Sequence, residues 1–191
     1  VGEDFTRKPS AAGRVLPMVE MRIETPDGEI LPQGETGEIV VRGAQVMAGY
    51  WNRPEETAAV LSADGWLKTG DVGYVDDEGY VFIVDRKKDM VISGGENIYC
   101  AEVERVMGEM SGIVECAAFG IADERLGELL VAVVVAQDVS ADSIKHEVGE
   151  KLARYKAPGL VAFSADPLPR NAVGKIDKVK LRAMWPELNG A

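Results

Sequence analysis

Lys175 lies beside Gly174 in the loop PLPRNAVGKIDK, residues 167–178. A flexible glycine next to a lysine, in a polar loop bounded by proline, is a pattern that can bring a cation to a phosphate. A P-loop requires a glycine five residues before Gly174 and a Ser or Thr after Lys175. Pro169 and Ile176 stand there instead, so Lys175 is not a P-loop lysine. Taken alone, it reads first as a solvated surface lysine.

Three other segments carry residue types suited to ligand chemistry. GWLKTGD, Gly65 to Asp71, offers a carboxylate whose two oxygens can accept from a vicinal diol. DRKKD, residues 85–89, sets Arg86, Lys87 and Lys88 in a row, suited to phosphate or ribose. SGGENI, Ser93 to Ile98, has paired glycines that permit positive φ and close approach of a ligand to the backbone. Each has a plain reading beside it: a turn with Asp71 capping backbone, a solvated charge run, and a turn leading into a helix. Other chemistries find little support. His146 is the only histidine, which disfavours histidine-rich zinc sites and a Ser-His-Asp triad. ISGGE is not a nucleophile elbow, ADERLGE has no metal-ligand spacing, and DDEG at 76–79 is a turn without the twelve-residue calcium pattern.

The elements that must position these residues fall into two groups. Residues 1–84 read as mostly β. VEMRIE (19–24) alternates Val19, Met21 and Ile23 against Glu20, Arg22 and Glu24, the period of a half-buried strand. TPDGE (25–29) predicts a turn, GEIVVRG (37–43) a strand, and NRPEETAAVL (52–61) a short helix with Pro54 in its first turn. DVGYVDDEGYVFIVDR (71–86) predicts a hairpin turning at Asp76 to Gly79. This succession implies a small barrel or sandwich. After residue 89 the pattern changes. Residues 101–110 place Val103, Val106, Met107 and Met110 on one helical stripe. Residues 112–121, 128–137 and 159–165 read as strands, and 140–156 as a helix with Ser140 as N-cap. Residues 177–184 read as a closing helix capped by Asp177. The fold class is therefore mixed: a β-barrel-like subdomain, then a small α+β domain with a central sheet covered by helices. The charged run at 85–89 marks the candidate boundary.

Bulk properties narrow the function. A chain of 191 residues suits one large domain or two small ones. A net charge of −11 argues against a broad nucleic-acid surface, so phosphate recognition must be local. The longest apolar run, LLVAVVVA (129–136), suits a buried strand and is too short to span a bilayer. VGEDFTRKPS at the start lacks the basic-then-apolar order of a signal peptide. Cys100 and Cys116 imply no disulfide framework, which fits a reducing compartment.

In order and at their spacing, these segments resemble the C-terminal part of the acyl-adenylate-forming enzymes: acyl-CoA synthetases, luciferases and the adenylation domains of peptide synthetases. GRVLPMVEMRI and GETGEIVVRGAQVMAGYWNRPEET resemble the family's barrel subdomain, and DGWLKTGD its ribose-binding motif. GYVFIVDRKKDMVISGGENIYCAEVE resembles its hinge motif, and PLPRNAVGKIDK its terminal lysine loop. The resemblance implies that residues 1–86 end a large N-terminal domain and that 87–191 form a mobile C-terminal domain with Lys88 as hinge, a position where relatives carry aspartate or lysine. It implies that Asp71 binds the ribose of ATP and of the acyl-AMP, and that Arg86 contacts the ribose and phosphate side. Gly94, Gly95 and Glu96 would line the pantetheine tunnel of CoA, with Asn97 at the nucleotide and thioester-forming site. Lys175 would be the adenylation lysine.

The GGEN run favours CoA ligases, fatty-acid ligases first, then ligases of aryl or dicarboxylic acids. ATP, Mg2+ and CoA are the implied substrates and cofactors, none held tightly by this chain, in a cytoplasmic enzyme that is at most peripheral to a membrane. Two departures stand out. Cys100 replaces a common proline, and Ala157 and Gly159 replace basic residues that grip CoA phosphates in some relatives, leaving Lys156 for that role. The family's upstream phosphate loop, Tyr-Gly-x-Thr-Glu segment and acyl pocket find no counterpart here. The chain thus reads as part of a longer protein and is expected not to form acyl-AMP by itself. A carrier-protein-loading adenylation module and a non-catalytic remnant are the alternatives.

Overall fold

The computed structural model describes residues 6–190. The first five residues, part of the stretch read above for a leader, lie outside the described residues. The chain divides into two compact units, Val1–Lys88 and Asp89–Ala191.

The first unit is built on five antiparallel strands: β1 (Gly13–Arg14), β2 (Val19–Glu24), β3 (Gly37–Gly43), β4 (Leu67–Val75) and β5 (Tyr80–Arg86). Their order is β1-β5-β4-β3-β2. Helix α1 (Pro54–Val60) follows β3, with proline in its first turn and Glu55 and Glu56 at its positive end. The β4–β5 turn closes because Asp76 Oδ1 accepts from the N–H groups of Glu78 and Tyr80. This is the turn read from DDEG. Burial opposes the Asp76 charge, but Lys8 and the two N–H groups outweigh it and hold the carboxyl below its usual range.

Two details depart from the sequence reading. The polar face of β2 is open to water at Glu20 but closed at Glu24, which is buried. Trp66 covers that face, with the guanidinium groups of Arg22 and Arg42 at 4.0 and 4.7 Å from its ring centre. Strand β4 also begins at Leu67, not at Asp71, so Asp71 sits in mid-strand. Leu67 and Lys68 retain the apolar-polar alternation needed to pair with Val41 and Val40.

In the second unit the strands are β6 (Val91–Ser93), β7 (Glu96–Ile98), β8 (Ile113–Asp123), β9 (Gly127–Ala136) and β10 (Leu160–Phe163). β9 is central: β8 pairs with it antiparallel over its full length, and β10 pairs with it parallel. Helices α2 (Cys100–Gly108) and α3 (Ala141–Lys151) cover one face, and α4 (Lys178–Leu188) the other. Alternation in β8 and β9 serves both cores. Ala118, Leu130, Ala132 and Val134 join α2 and α3, while Ala117, Phe119, Val131 and Val133 join Leu181 and Trp185 of α4. A sheet buried on both faces accounts for the unbroken apolar run.

The predicted stripe is buried throughout: Val103, Val106 and Met107 on α2, and Met110 in the turn just past its end at Gly108. Ser140 caps α3 as expected, in a reciprocal pair with Ser143. The helix stops at Lys151 rather than 156, where Leu152 turns out of helical geometry and packs on the core. A 3-10 turn, Arg154–Lys156, follows. SGGENI is more than a turn before a helix. Its glycines join β6 and β7 in a hairpin that the apolar spacing was too short to announce. No disulfide links Cys100 and Cys116. Burial, reinforced by the charge of Glu104, raises the Cys116 thiol to about 11, so it stays protonated near neutrality. Among the described residues, no helix is long and apolar enough to cross a membrane.

One ion pair ties the start of α4 to α2. Glu104 Oε1 accepts from Lys178 Nζ at 2.8 Å and from the Ala118 N–H of β8 at 2.8 Å. Burial alone would lower the Lys178 pKa, but the Glu104 charge and hydrogen bond outweigh it and the net shift is upward. Removing one partner of a buried pair costs more than replacing both. Glu104→Ala is expected to destabilise the second unit by about 2 kcal/mol, discounted because both side chains keep some solvent contact. Glu104→Gln with Lys178→Met, which keeps an acceptor for the Ala118 N–H, should recover most of that loss. Urea unfolding of the two variants checks this, and an unchanged midpoint for Glu104→Ala would refute it.

Candidate functional site

In the first unit, Asp71 is presented by an irregularity in the β3–β4 ladder. Val40 pairs with Lys68, and Glu38 with Val72. Two steps along β3 therefore face four along β4, and the segment Thr69-Gly70-Asp71 bows out of register. Thr69 locks the bow: its hydroxyl donates to the Ile39 carbonyl at 2.7 Å and accepts from the Asp71 N–H at 3.1 Å. Gly70 supplies the left-handed φ of +71°.

Asp71 pairs in register with Arg86 of β5, and Arg86 Nε lies 2.6 Å from Asp71 Oδ1. The structure thus joins two residues that stand apart in the sequence. Asp71 is a quarter exposed and Arg86 more than half, so the pair sits at a surface and keeps acceptor and donor positions for a ligand. The next residue, Lys87, reaches the buried Glu38 carboxylate at 2.8 Å. Lys87–Asp89 form a short 3-10 turn, with Lys88 exposed at the division between the units.

In the second unit, Gly94 and Gly95 form the tip of the β6–β7 hairpin, at φ of +60° and +87°. A Cβ on Gly95 would meet nothing within 4 Å, so its surroundings are open. The hairpin is held from beside it. The Gly94 N–H donates to the Leu126 carbonyl at 2.8 Å, and the Ile92 N–H to Glu128 Oε2 at 2.8 Å. Asp123 shapes the neighbouring turn by accepting from the N–H groups of Arg125 and Leu126. Glu96 and Asn97 are exposed on β7, while Ile98 next to them is buried. Lys156, the cation expected for CoA, pairs through Nζ with Glu102 Oε2 at 2.6 Å.

Lys175 is exposed on a braced loop. An isolated bridge joins Arg170 and Ile176. The Asn171 side chain accepts from the N–H groups of Val173 and Lys175 at 3.1 and 3.0 Å, and Gly174 turns at φ +81°. Ile176 and Leu168 anchor the two stems in the core under α4. The roles of Arg170, Asn171 and Glu115 escaped the sequence reading. Asn three residues before Gly in a polar loop is a side-chain-closed turn signal that could have identified Asn171. Glu115 interrupts an apolar strand, but nothing local names its partner.

Comparison with known proteins agrees with the motif order. The sequence profile of the AMP-binding enzyme C-terminal domain matches residues 102–175, and that of the AMP-binding enzyme matches residues 2–51. An indoleacetate–CoA ligase of Aromatoleum aromaticum is 47% identical over 95% of this chain and 36% of its own length. The long-chain-fatty-acid–CoA ligase FadD13 of Mycobacterium tuberculosis is 45% identical over 97% of this chain and 37% of its own. Among solved structures, o-succinylbenzoate CoA synthetase of Bacillus subtilis, in complex with its acyl-adenylate intermediate, superposes with a TM-score of 0.86 at 40% identity. That match covers 95% of this chain and 37% of the other. The chain spans just over a third of the length of the relatives it matches.

Proposed function

Because the chain belongs to the AMP-binding enzymes, which include acyl-CoA ligases, we propose that it supplies the ribose-binding edge and the catalytic lysine of an ATP-dependent acid–thiol ligase. The reaction has two halves. A carboxylate first attacks the α-phosphate of ATP, forming acyl-AMP and releasing pyrophosphate. The thiol of CoA then attacks the acyl carbonyl, forming the thioester and releasing AMP.

Each assigned residue has a task that its chemistry suits. Asp71 accepts from the ribose hydroxyls, and Arg86 holds its carboxylate in place while facing the phosphate side. Lys175 stabilises the charge that builds when carboxylate and α-phosphate approach, an electrostatic role. Gly94 and Gly95, with Glu96 and Asn97 beside them, form the wall past which pantetheine reaches the acyl group. Lys88 is the pivot that exchanges Lys175 for the glycine hairpin between the half-reactions. Mg2+ neutralises ATP phosphate charge when bound, and no residue of this chain is assigned to it. In the acidic turn Asp76-Asp77-Glu78, Asp76 pairs with Lys8 and two backbone N–H groups, and Glu78 with Lys8 and Arg7.

The observation that supports this reading most is the Asp71–Arg86 pair raised on a locked irregularity at the position of the ribose motif. A carboxylic acid of fatty type is the first candidate substrate. The named relatives act on indoleacetate, long-chain fatty acids and succinylbenzoate, so the acid is sought across these classes. The test is acid-dependent ATP–pyrophosphate exchange by the full-length protein, followed by thioester formation with free CoA. Exchange with one class of acid and transfer to free CoA is the expected result. Transfer only to a carrier protein would overturn the CoA assignment, and absence of exchange with every class would overturn the ligase reading. The 191 residues alone are expected to give no exchange.

A further inference from the structure

Lys175 can act only if its loop points the ammonium correctly, and the loop does not set that direction by itself. Its internal bonds fix its shape: Asn171 N–H to the Lys175 carbonyl at 2.8 Å, Gly174 N–H to the Asn171 carbonyl at 2.9 Å, and Asp177 N–H to the Pro169 carbonyl at 2.7 Å. Yet residues 171–175 are all exposed, and Val173 is 78% exposed, so no packing holds the tip against the sheet.

One polar bridge reaches the tip. Glu115, on β8, accepts from the Leu168 N–H with Oε2 at 2.7 Å and from one terminal nitrogen of Arg170 with Oε1. The other terminal nitrogen of Arg170 donates to the Gly174 carbonyl at 3.0 Å, the peptide oxygen directly before Lys175. A single planar guanidinium therefore spans from the sheet to the peptide that carries the lysine. Leu168 and Arg170 together hold the Glu115 carboxyl below its usual range, so it is ionised at neutral pH.

We infer that Arg170 and Glu115 are positioning residues for Lys175, acting as a strut that orients the lysine loop during acyl-AMP formation. The inference rests on the role proposed above for Lys175. Lysine cannot replace Arg170 here, because an ammonium on a flexible stem cannot hold both acceptors in the same fixed fork. The strut also contributes little to the fold. Arg170 is about half exposed, and ion pairs of that kind add little stability. Its effect should therefore appear in rate rather than in unfolding.

The test uses the full-length protein and follows the two half-reactions separately. Misplacing a catalytic group by about 1 Å can cost on the order of 100-fold, and a loosened loop that still samples the right pose should cost about 30-fold. Arg170→Ala and Glu115→Gln are expected to lower kcat for acyl-AMP formation by roughly that factor, with little change in KM for the acid. Thioester formation from preformed acyl-AMP and the unfolding midpoint should stay nearly constant. Arg170→Lys should recover only part of the rate. In a Lys175→Ala background, Arg170→Ala should add less than about twofold, since the strut acts through the lysine.

Equal loss in both half-reactions with a lowered unfolding midpoint would show a merely structural role and overturn the inference. So would a full, independent loss in the Lys175→Ala background, or no loss in any variant. If Lys175→Ala itself leaves acyl-AMP formation intact, the failure lies with the role of Lys175 and not with the strut.

Discussion

Lys175→Ala in the full-length protein is expected to lower acyl-AMP formation about 1,000-fold, the upper range for removing one preorganised donor from developing charge. Thioester formation from preformed acyl-AMP should remain within about threefold, because that step builds charge on the acyl carbonyl, where Lys175 has no assigned role. The size follows from the reaction. Two anionic groups must approach within bonding distance, and a positioned ammonium offsets that repulsion without reorganising water. Asn171 and Gly174 fix the local backbone shape at Lys175, and Arg170 ties that loop to the sheet. Lys175→Arg keeps the charge but carries it on a wider, planar group, so it should recover only part of the rate. The measurement pairs ATP–pyrophosphate exchange with single-turnover thioester formation. Equal loss in both would contradict the assignment.

Gly95→Leu should give the opposite phenotype: thioester formation down about 100-fold, with acyl-AMP formation nearly unchanged. Two causes must be separated. Gly95 has φ of +87°, so any side chain adds backbone strain of about 1–2 kcal/mol. A Cβ there meets nothing within 4 Å in this chain, which leaves the space beside the hairpin tip open to a ligand. Asn tolerates positive φ better than most residues, which makes Gly95→Asn a control that relieves strain but still fills space. If obstruction dominates, Gly95→Asn stays impaired. If it restores thioester formation, strain rather than a pantetheine passage explains the glycine. Because Lys175 and Gly95 are predicted to affect different half-reactions, the pair of variants also tests whether the two loops serve separate steps.

Most elements were legible because their signals are local. Alternation in residues 19–24 gave a strand there, and the stripe on Val103, Val106, Met107 and Met110 gave a helix. Ser140 was readable as a cap because its partner lies three residues away. The β6–β7 hairpin was missed because its three-residue strands are too short to show a period. The helix expected to 156 stopped at 151, where Leu152 leaves helical geometry while still packing on the core beside Ile144 and Val148.

The site divides in the same way. From the sequence alone came the identities and order of the motifs: a carboxylate after Thr-Gly, a basic run, a Gly-Gly turn and a Gly-Lys loop. What those side chains touch was decided by the tertiary structure. Asp71 became a ribose candidate with a partner only when strand pairing set it opposite Arg86. Lys156, read as a cation for CoA, is held by Glu102, which lies 54 residues away in the chain. Arg170, silent in the sequence, became the strut between Glu115 and the peptide before Lys175. The physical reason is one of range. Periodicity, caps and turns depend on neighbours within a few residues. An ion pair depends on which distant strand or helix packing brings within about 3 Å, and many carboxylates in an acidic chain could have answered each base.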